Sequence, residues 1–150
     1  MIFISNYNSK SVKGGVDKST ITKNLTTYLA IDQNKRVLNI DEDYSLYLTT
    51  NLYDLYENQG NIGEWFTLDD DGSKDVNYYT IHPNIDLVVG DPHLNDKIKN
   101  LTNEEGTTFI LMKWLINHLE KLSVYDYLLI DTHNDFDTFT KMQLLLAMLY

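Results

Sequence analysis

Lys13-Gly-Gly-Val-Asp-Lys-Ser-Thr20 is the stretch whose reading decides the fold of this 150-residue chain. Before it stands an apolar run, Met1-Ile-Phe-Ile4, and after it Ile21, Leu25 and Leu29 recur at helical spacing. A strand, a glycine-bearing loop and a helix opening on Lys-Ser-Thr form the arrangement that cradles phosphates. Loop N–H groups and the positive end of the helix dipole converge on one small volume, and Lys18 adds a full charge there. Ser19 is placed to offer a hydroxyl to a magnesium ion. The working reading is a nucleotide site.

Two further segments end in acids. Residues 36–43, Arg-Val-Leu-Asn-Ile-Asp-Glu-Asp, read as a second strand with Asp41 and Asp43 at its carboxyl end. In an open parallel sheet ligands bind outside that end, so both acids are expected at the same crevice as the loop. The plainer use of such acids is to cap the next helix. Residues 125–135 contain the apolar strand Tyr-Leu-Leu-Ile ending in Asp131, a position that can hold a magnesium-bound water opposite Ser19.

Together these segments resemble the deviant Walker A ATPases of the ParA/MinD partitioning class. The resemblance rests on Lys13, Gly14, Gly15, Val16, Lys18, Ser19 and Thr20, on Asp41 and Asp43, and on Tyr125, Asp126, Ile130, Asp131 and Thr132. It implies a P-loop NTPase-like α/β fold, a mostly parallel sheet flanked by helices, with residues 1–150 as a single domain. It covers the amino-terminal part of the family domain, so the family's carboxyl-terminal strands are expected to be missing.

The same resemblance implies ATP and Mg2+ as cofactors, held by Gly14, Gly15, Val16, Asp17, Lys18, Ser19 and Thr20. Lys13 would reach the phosphates of a partner subunit in an ATP-dependent homodimer, and Asp43 would orient the attacking water. Ser19, Asp131 and Asp43 would serve the metal, and a centromere-binding partition protein would be the partner in plasmid or chromosome segregation.

Several positions depart from the family. Asp17 stands where it has glycine, residues 8–12 lengthen the loop, Tyr44 and Ser45 replace Pro-Gln, and His133 and Asn134 replace prolines. Asp17 has the clearest cost. The backbone before the P-loop lysine approaches phosphate closely and leaves little room for a β-carbon. Two like charges about 4 Å apart add roughly 1 kcal/mol of repulsion in water and about 4 at an intermediate dielectric. Weak ATP binding, improved by Asp17→Gly, is the expectation. The alternative function is a degenerate or truncated relative without hydrolysis, an interaction module or an inactive remnant.

Composition narrows the field. Hydrophobic residues at 43% and charged residues at 23% are globular proportions. The absence of cysteine removes disulfides and thiol nucleophiles. Neither a secretory signal nor a run long enough to span a bilayer is visible, so a soluble cytoplasmic protein without membrane contact is expected. A net charge of −10, with twelve scattered Lys and Arg, argues against direct DNA binding.

Elsewhere, apolar spacing predicts helices over 19–31, with Ile21, Leu25, Tyr28 and Leu29 on the packed face, and over 46–57, 107–122 and 135–150. A short helix is expected over 61–67 and strands over 78–81 and 85–89. Trp114 and Ile116 are expected to reach a second layer, and His118 to be a rim or core residue. The tyrosines near residue 50 read as packing rather than base stacking, since no basic residue accompanies them. The Asp-rich stretch 69–75 reads as a solvated turn without the glutamate of a calcium loop, and His82 and His93 lack metal-ligand spacing.

Overall fold

A computed structural model describes residues 2–5, 16–55, 61–65, 74–101 and 110–132. Five strands form one sheet: β1 (Ile2–Ser5), β2 (Val37–Glu42), β3 (Tyr79–His82), β4 (Ile85–Val88) and β5 (Tyr127–Thr132). Their spatial order is β1-β5-β2-β4-β3, and every pairing is parallel except β3 with β4. β5, the last in sequence among the described strands, is inserted between the first two. This crossover brings the carboxyl ends of β2 and β5 side by side, with Asp41 opposite Asp131 and Glu42 opposite Thr132.

β2 is buried along its whole length, as a central parallel strand covered on both faces must be. Leu38 and Ile40 join a core with Val88, Leu128, Ile130, Trp65 and Trp114. The alternate face sets Val37 and Leu129 with Ile85, Leu29 and Ala30. The helices are α1 (Val16–Thr27), α2 (Leu94–Leu101), α3 (Ile110–Asn117) and α4 (Leu119–Leu122). Among the described residues none is long and apolar enough to cross a membrane.

Of the four residues that apolar spacing places on the packed face of the first helix, Leu25 and Leu29 pack and Ile21 and Tyr28 do not. Ser19, Thr22, Thr26, Leu29 and Ala30 are buried, while Ile21 and Tyr28 stand 52% and 51% exposed. Near the rim the sheet presents Asn39 and Asp131, so the helix meets it with hydroxyls. Thr26 Oγ1 donates to Asn39 Oδ1 at 2.8 Å, and Asn39 Nδ2 donates to Tyr53 Oη at 3.1 Å. Apolar packing begins at Leu25, and the π-helical turn over Tyr28–Asp32 continues it through Leu29 and Ala30. It ends with Asn34 at φ 51°, a conformation asparagine tolerates at a helix end.

Further expectations need correcting. The helix read over 46–57 is a π-helical segment, Tyr47–Leu52, shorter than expected, whereas the short helix read over 61–67 is present as a 3-10 helix, Ile62–Trp65; residues 56–57 and 66–67 lie outside the described residues. The helix read over 107–122 breaks at His118, whose Nδ1 lies 2.8 Å from the Trp114 carbonyl oxygen. Trp114 does reach the inner layer, stacked on Trp65 with ring centroids 4.2 Å apart, but Ile116 is 54% exposed. α2 has no counterpart in the sequence reading. The helix read over 135–150 and most of the Asp-rich turn lie outside the described residues.

Candidate functional site

α1 reaches the carboxyl rim of the sheet with Lys18 and Ser19 in its first turns, both buried. Lys18 Nζ donates to the carbonyl oxygen of Thr132 at 2.7 Å, which seats the ammonium at the tip of β5. Thr22 Oγ1 lies one helical turn on, and its single proton is shared between Lys18 O of its own helix at 3.1 Å and Asp131 Oδ1 at 3.3 Å. The Ser19 hydroxyl is also bonded to the Asp131 carboxylate, and the charges of Asp43 and Lys18 act on that same group. The structure therefore brings Lys18, Ser19, Asp43 and Asp131 to one rim, although they come from four separate positions along the chain.

Burial and repulsion load this rim with carboxyl groups reluctant to ionise. Burial raises the Asp131 pKa and the charge of Asp43 adds to the rise, while Ser19, Thr22 and Lys18 oppose it. Asp41 is pushed up to about 7, chiefly by burial and further by Asp131, against hydrogen bonds from Thr49. Glu42 rises to about 8 through burial and the charges of Asp41 and Asp131. A divalent cation at this rim would relieve the repulsion between Asp43 and Asp131 and would bring phosphate in with it.

The donor set fits magnesium. Among the described residues the buried Asp131 Oδ2 has no hydrogen-bond partner, and a serine hydroxyl lies beside the same carboxylate. Magnesium takes hard oxygen donors, needs only one or two from protein and keeps several waters. That suits a rim where the described residues contain no group of three or more acidic, histidine or cysteine side chains able to hold a metal among themselves.

Asp41 is not the crevice acid that strand-end logic predicts. Its Oδ2 accepts from Thr49 N at 2.9 Å and from Thr49 Oγ1 at 2.6 Å, and its Oδ1 accepts from Asp43 N at 3.1 Å. Both oxygens are spent on local structure, the helix-capping use. Asp43 is 8% exposed, and its Oδ1 accepts from Ser45 N at 2.8 Å. Lys13, Gly14 and Gly15 lie outside the described residues; Val16, Asp17 and Thr20 belong to α1. Thr22, Thr49 and the Thr132 carbonyl escape a motif reading. The hydroxyl repeat Ser19, Thr22, Thr26 at helical spacing is the signal that could have exposed Thr22.

A mostly parallel sheet with a lysine-bearing helix start facing an acid on a neighbouring strand tip is a P-loop NTPase-like α/β fold. The chain belongs to the AAA domain family, whose model matches residues 1–149, and it is of the ParA/MinD type. A plasmid partition protein from Borrelia burgdorferi superposes with a TM-score of 0.71 at 29% identity, over 95% of this chain and 61% of that one. A putative plasmid partition protein from Borrelia burgdorferi B31 bound to AMPPNP gives 0.65 at 29% identity, over 95% and 57%. In fold alone, cobyrinic acid a,c-diamide synthase from Mycobacterium smegmatis with bound ATP analog and magnesium gives 0.70 at 23% identity, over 93% and 54%. The chain thus spans about three fifths of the length of the plasmid partition proteins it resembles. No curated protein sequence matches it.

Proposed function

We propose that the chain is the nucleotide-binding part of a partition-type ATPase, taking Mg-ATP at the rim where α1 meets β5. The observation that carries this is the convergence of Lys18, Ser19, Thr22 and Asp131 within one hydrogen-bonded group. Lys18 would exchange the Thr132 carbonyl for phosphate oxygens, and the N–H groups of residues 14–19 would cradle the same phosphates. Ser19 and Asp131 would hold magnesium, directly or through its waters, with Asp43 near the same ion. The ion would supply charge neutralisation on the phosphates. Asp43 would hold the attacking water in line, and positioning with charge stabilisation would carry the rest of phosphoryl transfer.

Dimerisation on ATP, with Lys13 completing the partner's site, and pairing with a centromere-binding protein belong to this proposal; the named plasmid partition proteins support it. A second reading, nucleotide binding too weak to sustain turnover, is favoured by one residue. Asp17 puts a carboxylate directly before Lys18, where phosphate must come close.

Phosphate release from the unaltered chain, Asp17→Gly and Lys18→Ala separates the two. Release by the unaltered chain that Lys18→Ala abolishes supports the ATPase. Release only from Asp17→Gly identifies the aspartate as the lesion, and none from any of the three supports the inactive reading.

A further inference from the structure

The segment joining β2 to the Tyr47–Leu52 turn is held by the neighbouring strand as well as by its own residues. Thr49 is completely buried and works in three directions. Its N–H and hydroxyl both donate to Asp41 Oδ2, and its hydroxyl oxygen accepts from Gly90 N at 3.1 Å, just beyond the end of β4. Asp41 spends its other oxygen on Asp43 N, Asp43 turns its Oδ1 to Ser45 N, and Asp43 O accepts from Leu46 N. The series Gly90, Thr49, Asp41, Asp43, Ser45 is thus continuous, and it fixes one acid of the rim to the neighbouring strand.

Two features show that the segment is held tightly. Leu46 adopts φ 56° and ψ 24°, a left-handed conformation that leucine rarely takes. A β-carbon at Gly90 would lie 2.5 Å from Leu46 Cδ2 and 3.3 Å from the Asp41 carboxyl carbon, so a side chain there would displace the end of Leu46 and crowd Asp41. A turn held in a sparsely populated conformation persists only where surrounding contacts determine it, and such turns gather at functional sites.

We propose that Thr49 is a positioning residue: acting through Asp41, it sets where Asp43 stands at the rim. The step from position to rate rests on the reading above, in which Asp43 places the attacking water; the step from Thr49 to Asp43 does not. Thr49→Val keeps the side chain's shape and removes the hydroxyl, so Gly90 N loses its acceptor and Asp41 loses its shortest bond. Thr49→Ser restores both.

Amide exchange in the full chain tests the inference directly. In Thr49→Val the Ser45 N–H, which donates to the Asp43 carboxylate and lies three hydrogen bonds from Thr49 in the series, should exchange about tenfold faster, and Thr49→Ser should return it to within about twofold of the parent. Faster exchange confined to Thr49 and Gly90, with Ser45 unchanged, overturns it, because a merely structural hydroxyl would loosen only its own partners. Asp41→Asn supplies the same test from the other end of the clasp if the valine variant does not fold. Where the parent turns over ATP, kcat should fall about tenfold in Thr49→Val with KM within about twofold, and serine should rescue it. The exchange arm decides the inference by itself, so absence of turnover counts against the hydrolytic reading alone.

Discussion

At Glu42 the chain buries a carboxyl group at 2% exposure, and among the described residues neither of its oxygens has a hydrogen-bond partner. A charged carboxylate there would lack both water and a partner, so the group keeps its proton up to about pH 8, against an ordinary 4.5. The folded state therefore binds more protons than the unfolded state between those values. The stability that this proton confers is complete below about 4.5 and is lost as pH rises through 8. Asp41, raised to about 7, acts in the same direction. The slope for one such proton is about 1.4 kcal/mol per pH unit. Glu42→Gln keeps the shape and removes the titration. In metal-free buffer it should lie close to the parent near pH 5 and be clearly more stable near pH 8, by urea unfolding. Equal pH slopes for the two chains would contradict this.

Elements carry a different constraint, visible where the Ile62–Trp65 turn crosses toward α2. Gly63 has no room for a side chain: an added β-carbon would sit 1.6 Å from Asp91 Oδ2 and 2.7 Å from Lys97 Nζ. Those atoms form a 2.6 Å ion pair in which Asp91 is almost wholly buried. Gly63→Ala must displace the pair, and a loss of about 1–3 kcal/mol is expected in denaturant unfolding; an unchanged midpoint would show that the turn yields easily. The strands were legible from apolar runs bounded by acids or glycine, because a buried parallel strand writes its burial at consecutive positions. α1 was legible as an element but only partly in its orientation. Ile21 and Tyr28 satisfy apolar periodicity, yet Ser19, Thr22 and Thr26 face the sheet because Asn39 and Asp131 wait there. Periodicity reports hydrophobic faces, and a polar helix-to-sheet contact near a site lies outside its reach.

On the scale of the whole molecule, the site exists because β5 enters the sheet between β1 and β2, so residues more than a hundred positions apart share one rim. The lysine, the two acids and their order along the chain were readable as motifs. The division of labour between the paired acids was not, since whether Asp41 faces a ligand or Thr49 depends on the turn that follows β2. The central claim is that a nucleotide sits at this rim through Lys18, with Asp17 setting its affinity. Calorimetric titration of Mg-ATP tests it most directly. Asp17→Gly should bind at least about fivefold more tightly than the unaltered chain, the equivalent of roughly 1 kcal/mol of repulsion relieved. Adding Lys18→Ala to that variant should remove the binding. Binding by Asp17→Gly no tighter than by the unaltered chain, or binding that survives the loss of Lys18, would contradict the account.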